Sequence, residues 1–328
     1  MKRFLCPCGS QVYFDNTTCL RCGRKLGFEP GTRDMVELGD SRFRACANYL
    51  EHGTCNWLVA ANEDQALCRS CRLTRTTPNL STSENVRRWA VLESAKRRLL
   101  YSILDFDLPL DDDTEGSHPP LAFEFLEDKG SNPLVAEEYV RTGYATGVIT
   151  INVSEANPAQ REQARSLMNE DYRTPLGHLR HESGHYYFDR LVRHSHHQAD
   201  FKALFGDPDL DYEAALERYY ANPPPPAPDL GFISQYARSH PLEDWAECWA
   251  HFLHIHDTME SACDSGILEQ KSLESTAAWA EQWQRLSVIL NELNRCMGHR
   301  DAYPFVLSPL ILSKLDFIDQ VVCRRSPS

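Results

Sequence analysis

The most regular pattern along the chain is an apolar stripe in the segment that follows residue 83. Its members recur at the three- and four-residue spacing of one helix face: Trp89, Leu92, Leu99, Leu100 and Ile103. A cluster of Ser and Thr residues followed by Glu84 precedes the stripe. This combination is typical of a capped helix start. The pattern therefore predicts a helix from about Glu84 to about Leu104.

Two segments further along alternate between apolar and polar residues, which is the two-residue period of a strand. They are Leu121–Asp128 and Gly147–Ala156, and we expect them to form a small sheet. After residue 157 the pattern is mostly helical, with a proline-rich surface loop at Tyr219–Gly231. The chain is therefore expected to be α+β, mainly helical with a small β-sheet.

The segment "YRTPLGHLRHESGHYYFD" predicts a further helix, with Thr174 as its cap and Pro175 at the first helical position. On this helix His181 and His185 stand four residues apart, so both imidazoles face one side and can reach one zinc ion. Glu182 lies beside them and can take a proton from a zinc-activated water. The alternative is a pair of histidines satisfied by hydrogen bonds on a half-buried helix.

A catalytic zinc needs a third protein ligand, and the residues just after His185 do not supply it. The metzincin pattern would place a glycine and a histidine where Phe188 and Leu191 stand. That class of zinc hydrolase is therefore excluded.

The candidate for the third ligand lies on a helix predicted to begin at Pro241. The apolar stripe of this helix consists of Leu242, Trp245, Trp249, Phe252 and Leu253. On an adjoining face Glu243 is the expected zinc ligand, with Asp244 as the alternative. Glu247, one turn later, can accept the free ring N–H of a ligating histidine and so fix its tautomer. Two glutamates at this spacing often form a solvated face, but these are flanked by tryptophan, alanine and cysteine.

Eight of the twelve cysteines precede residue 72 and fall into two groups of four. The first group is Cys6, Cys8, Cys19 and Cys22, and the second is Cys46, Cys55, Cys68 and Cys71. Paired cysteines on two short knuckles give a tetrahedral four-sulfur site that suits Zn²⁺, and the metal supplies folding energy that so small a segment lacks. We predict zinc ribbons at residues 1–40 and 41–80, with His52 as an alternative ligand in the second, and a larger domain at residues 81–328.

Composition and charge narrow the classes of partner. The chain has 25% charged and 42% hydrophobic residues, as ordinary globular proteins do. Of the net charge of −13, residues 1–80 carry +3 and the remainder −16, so nucleic-acid binding is not expected. No apolar run reaches the roughly 20 residues needed to span a bilayer. The apolar patch before Cys6 is too short for the hydrophobic region of a signal peptide. We therefore expect no membrane partner and a cytoplasmic location, where clustered cysteines usually bind metal.

Taken together, these residues resemble the gluzincin metallopeptidases, in which a helical glutamate follows the His-Glu-x-x-His motif. The catalytic region is also similar to that of anthrax lethal factor. That protein has a glycine directly before its second zinc histidine, and in this chain Gly184 directly precedes His185. That region has a Tyr-Gly-Arg stretch seven residues before its ligand glutamate, where this chain has Tyr236-Ala237-Arg238 before Glu243.

The resemblance extends over nearly the whole chain. The stretches "YRTPLGHLRHESGHYYFDRLV" and "HPLEDWAECWAHFLHIHDT" look like those of bacterial zinc-binding metallopeptidases with an N-terminal zinc ribbon. This resemblance implies a zincin-like fold for the larger domain and peptidase chemistry. It also implies that Tyr236 is a hydroxyl donor near the zinc.

The sequence thus predicts a zinc-dependent peptidase with one catalytic and two structural zinc ions. His181, His185 and Glu243 would hold the catalytic zinc, Glu182 would act as general base, and Tyr236 would stabilise the oxyanion. The strand within Gly147–Val153 is a candidate edge on which an extended peptide could pair, with a plain core strand as the alternative. The ribbons would recruit a protein partner or the substrate. A different class of function is a non-catalytic binding or adaptor protein with zinc ribbons on an inactive zincin-like body.

Overall fold

The computed structural model describes residues 1–111, 118–129, 131–132, 135–136, 140, 142–167, 173–225, 229–269 and 276–323. The chain divides into two compact units, Met1–Leu179 and Arg180–Ser328. The described part is α+β and mainly helical with small sheets, which confirms the fold class expected from the sequence.

Helices make up most of the regular structure. The α-helices of the described part are α1 (Ala47–His52), α2 (Arg69–Arg72), α3 (Ser83–Asp105), α4 (Pro158–Leu167), α5 (Pro175–Tyr187), α6 (Gln198–Phe205), α7 (Tyr212–Ala221), α8 (Pro241–Asp264), α9 (Thr276–Cys296) and α10 (Pro309–Cys323). Short 3₁₀ segments cover Val153–Ala156 and Tyr236–Arg238, and a π-helical turn at Phe188–Val192 follows α5 directly. The predicted helix starts at residue 84, Pro175 and Pro241 are confirmed within one residue.

The strands of the described part are short and all lie in the first unit. They are β1 (Phe4–Leu5), β2 (Gln11–Val12), β3 (Leu26–Glu29), β4 (Asp34–Glu37), β5 (Phe43–Ala45), β6 (Leu58–Ala60), β7 (Thr74–Thr76), β8 (Ala122–Leu126), β9 (Gly143–Ala145) and β10 (Val148–Asn152). The first six form three antiparallel pairs, β1 with β2, β3 with β4 and β5 with β6.

The last four strands form one sheet in the order β7-β8-β10-β9. β8 is parallel to both β7 and β10, and β10 is antiparallel to β9. The two strands predicted from alternation are therefore present and adjacent. Of the two alternatives for the strand in Gly147–Val153, the plain core strand is confirmed and the edge is not, because β10 has a partner on each side. In the described part, the edge strands of this sheet are β7 and β9.

The cysteine-rich segments share an aromatic cluster with α3. Phe28 lies 4.8 Å from Phe14 and 5.1 Å from Trp57, measured between ring centroids. Tyr101 of α3 packs 5.7 Å from Phe14, and all four rings are buried. Burial of this much aromatic surface stabilises the small hairpins, which would be marginal alone.

In the second unit, α8 supplies the central core. The indole of Trp249 stacks on the ring of Tyr187, with centroids 5.1 Å apart, and the indole of Trp245 lies 5.8 Å from that of Trp249. Phe201 of α6 and Phe317 of α10 each lie 6.0 Å from Trp245. The predicted apolar stripe of α8 thus faces the core, apart from Leu242, which is half-buried. Residues 226–228 of the predicted proline-rich loop lie outside the described residues.

Candidate metal centres

Gly184 allows the second half of α5 to lie directly against α8. A Cβ atom at this position would come within 2.9 Å of the Cα of Ala246 and 3.2 Å of Trp249, so any side chain would push the helices apart. Two indoles fix the contact, since Trp245 Nε1 donates to the Gly184 carbonyl at 2.8 Å and Trp249 Nε1 donates to Ser183 Oγ at 3.1 Å. The absence of a side chain at Gly184 thus permits the close approach of the two helices.

This contact brings together the three predicted zinc ligands. One ligand atom each from His181, His185 and Glu243 lies within 4.8 Å of the others. Oε2 of Glu243 is 2.9 Å from Nε2 of His181, and Oε1 is 3.5 Å from Nε2 of His185. Two imidazole nitrogens and a carboxylate are a donor set that suits zinc and leaves a fourth position for water.

An unsatisfied oxygen supports metal binding at this point. Oε2 of Glu243 is buried and makes no well-aligned hydrogen bond among the described residues, although Nε2 of His181 lies 2.9 Å from it. A buried carboxylate oxygen left in this way costs free energy, and native proteins rarely retain such atoms without a partner. A divalent cation between Glu243 and the two histidines would supply the missing partner, so the residues present fit zinc.

Glu247 lies on the opposite side of the His181 ring. Its Oε1 is 2.7 Å from Nδ1 of His181, which is the contact expected of a carboxylate that fixes a ligand tautomer. With the proton on Nδ1, the lone pair of Nε2 points towards Glu243 and is available to a metal ion. The spacing argument placed Glu247 in this supporting position, and the geometry agrees with it.

The charges at the centre are strongly coupled. Burial opposes the charged form of His181, but the Glu243 and Glu247 carboxylates outweigh it and raise the pKa of His181 well above its ordinary value. Burial would raise the pKa of Glu243, yet His185 and His181 hold it well below its ordinary value.

Asp244, the alternative ligand, does not join this group. Its carboxylate accepts a hydrogen bond from the thiol of Cys248 at 3.6 Å and pairs with Lys314. It is absent from the cluster of potential ligand atoms in the described residues, which contains Glu243 instead. The geometry therefore favours Glu243.

The two proposed catalytic side chains lie beside the ligands. The ring of Tyr236 lies 5.9 Å from the ring of His181, in the 3₁₀ turn just before α8. Burial raises the pKa of Tyr236 far above its ordinary value, and the carboxylates of Glu243 and Glu182 act in the same direction. Glu182 itself is 9% exposed. The phenol thus stays protonated near neutral pH and can donate a hydrogen bond.

Sequence reasoning missed Tyr212 and His240, which also contact this centre. The hydroxyl of Tyr212 donates to Oε1 of Glu243 at 2.5 Å, and the imidazole of His240 caps α8 by accepting from the Leu242 N–H at 3.1 Å. Tyr212 stands 31 positions before Glu243. No short-range spacing rule connects residues so far apart. The only local signal is Asp211, which caps α7 and so fixes where Tyr212 begins that helix.

Both cysteine groups are assembled as predicted from their spacing. The Sγ atoms of Cys6 and Cys22 are 3.6 Å apart, those of Cys8 and Cys19 are 3.7 Å apart, and in the second group Cys55 and Cys68 are 3.6 Å apart. Within each group the four sulfurs lie within 4.8 Å of one another. Such clusters fit a zinc ion with four thiolate ligands.

The surroundings of the two groups differ. In the first, the backbone N–H of Ser10 lowers the pKa of the Cys8 thiol to about 6, which favours the thiolate that a metal requires. In the second, all four cysteines are buried, and backbone N–H groups of Trp57 and Cys68 point at sulfur at 3.3 and 3.4 Å. His52 instead packs its ring 5.7 Å from Trp89, and it is not part of the sulfur cluster.

Comparison with known proteins agrees with this arrangement. Residues 85–321 match the family model described as "Putative zinc-binding metallo-peptidase", and residues 3–82 match a zinc-ribbon domain. Uncharacterized proteins of Mycobacterium bovis and of two strains of Mycobacterium tuberculosis are each 40% identical over 338 aligned positions, which cover 100% of this chain and 97% of theirs. No solved structure matches the chain. Among the described residues, no helix has both the length and the apolar composition needed to cross a bilayer.

Proposed function

The chain belongs to the zinc-binding metallo-peptidase family, and we propose that it hydrolyses peptide bonds at the centre formed by His181, His185 and Glu243. The observation that carries the proposal is the convergence of one ligand atom each from His181, His185 and the buried Glu243 within 4.8 Å of one another. A divalent cation between Oε2 of Glu243 and the imidazole nitrogens would give that oxygen a partner of good geometry. The position of Glu247 behind His181 is a second feature that supports a gluzincin-type site.

Each ligand has a defined task at this centre. The two histidines offer neutral Nε2 atoms, and Glu243 offers a carboxylate oxygen. Zinc, when bound by these three side chains, acts as a Lewis acid that acidifies a water molecule and polarises the substrate carbonyl. Glu247 holds the proton on Nδ1 of His181 and thereby keeps the other nitrogen available as a ligand.

Glu182 is the proposed general base. It follows His181 directly on the same helix and is only 9% exposed, which supports a role at the centre rather than on a solvated surface. It takes a proton from the attacking water and passes it to the leaving amine. Tyr236 is the proposed oxyanion donor, because its buried phenol remains protonated close to His181.

Exchange of one oxygen for nitrogen at Glu182 tests the proposal most directly. Glu182→Gln keeps the size of the side chain but removes the base, so zinc content should be retained while hydrolysis of a peptide library falls by at least about 100-fold. Glu213→Gln, an exposed glutamate on α7, is the matched control and should cleave like the wild type. Equal turnover by wild type and Glu182→Gln on a cleaved peptide would refute the assigned role.

An adaptor without catalysis remains the second class of function, and the same experiment separates the two. A scaffold requires neither a general base nor a buried phenol beside the ligands. If wild type cleaves no peptide but binds a third zinc ion at His181, the result favours a non-catalytic adaptor protein.

We further propose that the ribbons recruit a protein partner or the substrate. The knuckle residue Leu20 is 98% exposed in the first ribbon, which supports a contact surface there. Domain boundaries at residues 40 and 80 are part of this proposal. Strand β7 lies before residue 80 but pairs with β8, so a second boundary before Thr74 would keep the sheet whole. A bacterial, cytoplasmic peptidase acting on peptides, and not on nucleic acid or membranes, fits the acidic charge and the paired thiols.

A further inference from the structure

Tyr212 contacts an oxygen of the proposed metal ligand. The side chain of Asp211 accepts from the backbone N–H of Ala214 at 3.0 Å and fixes the first turn of α7, which places Tyr212 at its start. The Tyr212 hydroxyl lies 2.5 Å from Oε1 of Glu243. A carboxylate can only accept, so the phenol donates in this short, charge-assisted hydrogen bond.

His240 holds the two partners of this bond in place. Its Nδ1 accepts from the Leu242 N–H at 3.1 Å, so Nε2 carries the proton and donates to the carbonyl of Leu210 at 3.1 Å. One imidazole thus joins the first turn of α8 to the chain two residues before Tyr212. The ring of His240 also packs edge-on against that of Tyr212, with centroids 5.2 Å apart.

The two oxygens of Glu243 have different surroundings. Both face imidazole nitrogens, Oε2 at 2.9 Å from His181 and Oε1 at 3.5 Å from His185. A carboxylate so placed can bind a cation through one oxygen or through both. Oε1 accepts a hydrogen bond from the hydroxyl of Tyr212, while Oε2 makes no well-aligned hydrogen bond among the described residues and has only the imidazole of His181 beside it.

We propose that Tyr212 is a positioning residue that makes Glu243 a ligand through one oxygen, Oε2, and so keeps a coordination position open for water. The inference rests on the proposed function, because it takes Glu243 as a zinc ligand. The hydrogen bond engages Oε1 and lowers its ability to donate to the cation. Without the hydroxyl, Oε1 would take the fourth coordination position, and water could enter only as a fifth ligand, which would raise the coordination number.

Cobalt replacement reports the coordination number directly, because four-coordinate Co²⁺ absorbs visible light much more strongly than five- or six-coordinate Co²⁺. In the full-length protein a weak chelator first removes metal from the His/Glu centre while the cysteine sites keep zinc, and Co²⁺ is then added. The spectrum of identically treated His181→Ala protein is subtracted. Tyr212→Phe should still bind one Co²⁺ at this centre but lose most of the visible absorption. Peptide hydrolysis should fall by about 10- to 100-fold.

Two further variants keep the test decisive. Tyr220→Phe removes a hydroxyl from the same helix at a side chain that is 59% exposed, and its spectrum should equal that of wild type. His240→Asn retains a good helix cap but cannot reach Leu210, so it should lower the absorption in the same direction. If Tyr212→Phe does not fold, the cobalt spectrum of His240→Asn tests the role of Tyr212 instead.

The outcomes separate the two proposals. If Tyr212→Phe or, where that variant does not fold, His240→Asn gives a wild-type cobalt spectrum with one Co²⁺ bound, Tyr212 does not control the coordination of Glu243. The proposed peptidase centre would then still stand. If wild type takes up no more Co²⁺ than His181→Ala does, the metal centre itself is refuted, and the role of Tyr212 with it.

Discussion

Nζ of Lys314 lies 2.6 Å from Oδ2 of Asp244, and both side chains are almost completely buried. The same ammonium group donates to the carbonyl of Gly231 at 2.7 Å and lies 4.7 Å from the centre of the Phe232 ring. Since Asp244 follows Glu243 in the chain, this ion pair anchors the first turn of α8 to α10. The acidic residue next to the proposed ligand thus has a structural partner of its own.

Loss of the lysine should be costly. Burial raises the pKa of Asp244 to about 6 even with Lys314 opposing it, so Lys314→Met would leave an unpaired carboxylate in an apolar site. We expect the free energy of unfolding to fall by about 3–5 kcal/mol, measured by urea denaturation at pH 7. The double variant Lys314→Met/Asp244→Asn should recover much of this loss. Lys202→Met, which removes an ammonium whose side chain is 42% exposed, should change stability by less than about 1 kcal/mol.

Metal content should follow the three clusters. We expect three zinc ions per chain in freshly purified protein, because three groups of ligand atoms each lie within 4.8 Å. His181→Ala should reduce the count by one and leave the cysteine sites loaded, as measured by elemental analysis. Cys46→Ser should remove a different zinc and, because its site is buried, also lower the thermal stability. A wild-type count of two that His181→Ala does not change would exclude the proposed catalytic centre.

The phenol of Tyr236 should act in the transition state rather than in substrate binding. Tyr236→Phe removes one donor beside the centre, and kcat should fall by about 10²–10³ with little change in KM. Zinc content should stay the same, because Tyr236 is not a proposed ligand. Tyr219→Phe, whose ring lies 6.0 Å from that of Tyr236, is the neighbouring control and should keep its kcat. A silent Tyr236→Phe variant would assign this tyrosine to packing alone.

The predictable part of the fold is the part encoded in short-range patterns. The helix at Ser83–Asp105 follows from an apolar stripe that its own residues display, and Pro175 and Pro241 mark helix starts by local chemistry. The ligand set is equally local, since His181 and His185 are one turn apart on one helix. Only Glu243 lies on a different helix, so its assignment needed more than the spacing within one helix.

The parts that could not be predicted depend on partners distant in the chain. Strand β10 is interior because Gly143–Ala145 and Ala122–Leu126 flank it, and the three-residue β9 has too little alternation to signal a strand. Likewise, Tyr212 reaches Glu243 across 31 positions and Lys314 reaches Asp244 across 70. Such pairs are selected by how α7, α8 and α10 pack, which residue spacing does not encode.

The buried His251 should make the stability of the protein fall in mild acid. Nδ1 of His251 lies 2.8 Å from the hydroxyl of Tyr303, and burial lowers the pKa of this imidazole to about 4, although Glu247 raises it in part. In the unfolded chain a histidine titrates near 6.5, so between these values the unfolded state binds more protons. The contribution to stability is therefore full above about pH 6.5 and is lost as the pH falls towards 4.

Removal of the imidazole should reduce this dependence. Between pH 7.5 and 5.5 the free energy of unfolding of wild type should fall by about 1 kcal/mol more than that of His251→Gln, whatever the difference between them at pH 7.5. Urea titrations at the two pH values measure both drops, and the zinc content of each protein is measured at both pH values. His299→Gln, at an exposed histidine, should show the wild-type drop. If His251→Gln and His299→Gln lose the same stability on acidification, His251 does not stay neutral in the folded protein for the reason given.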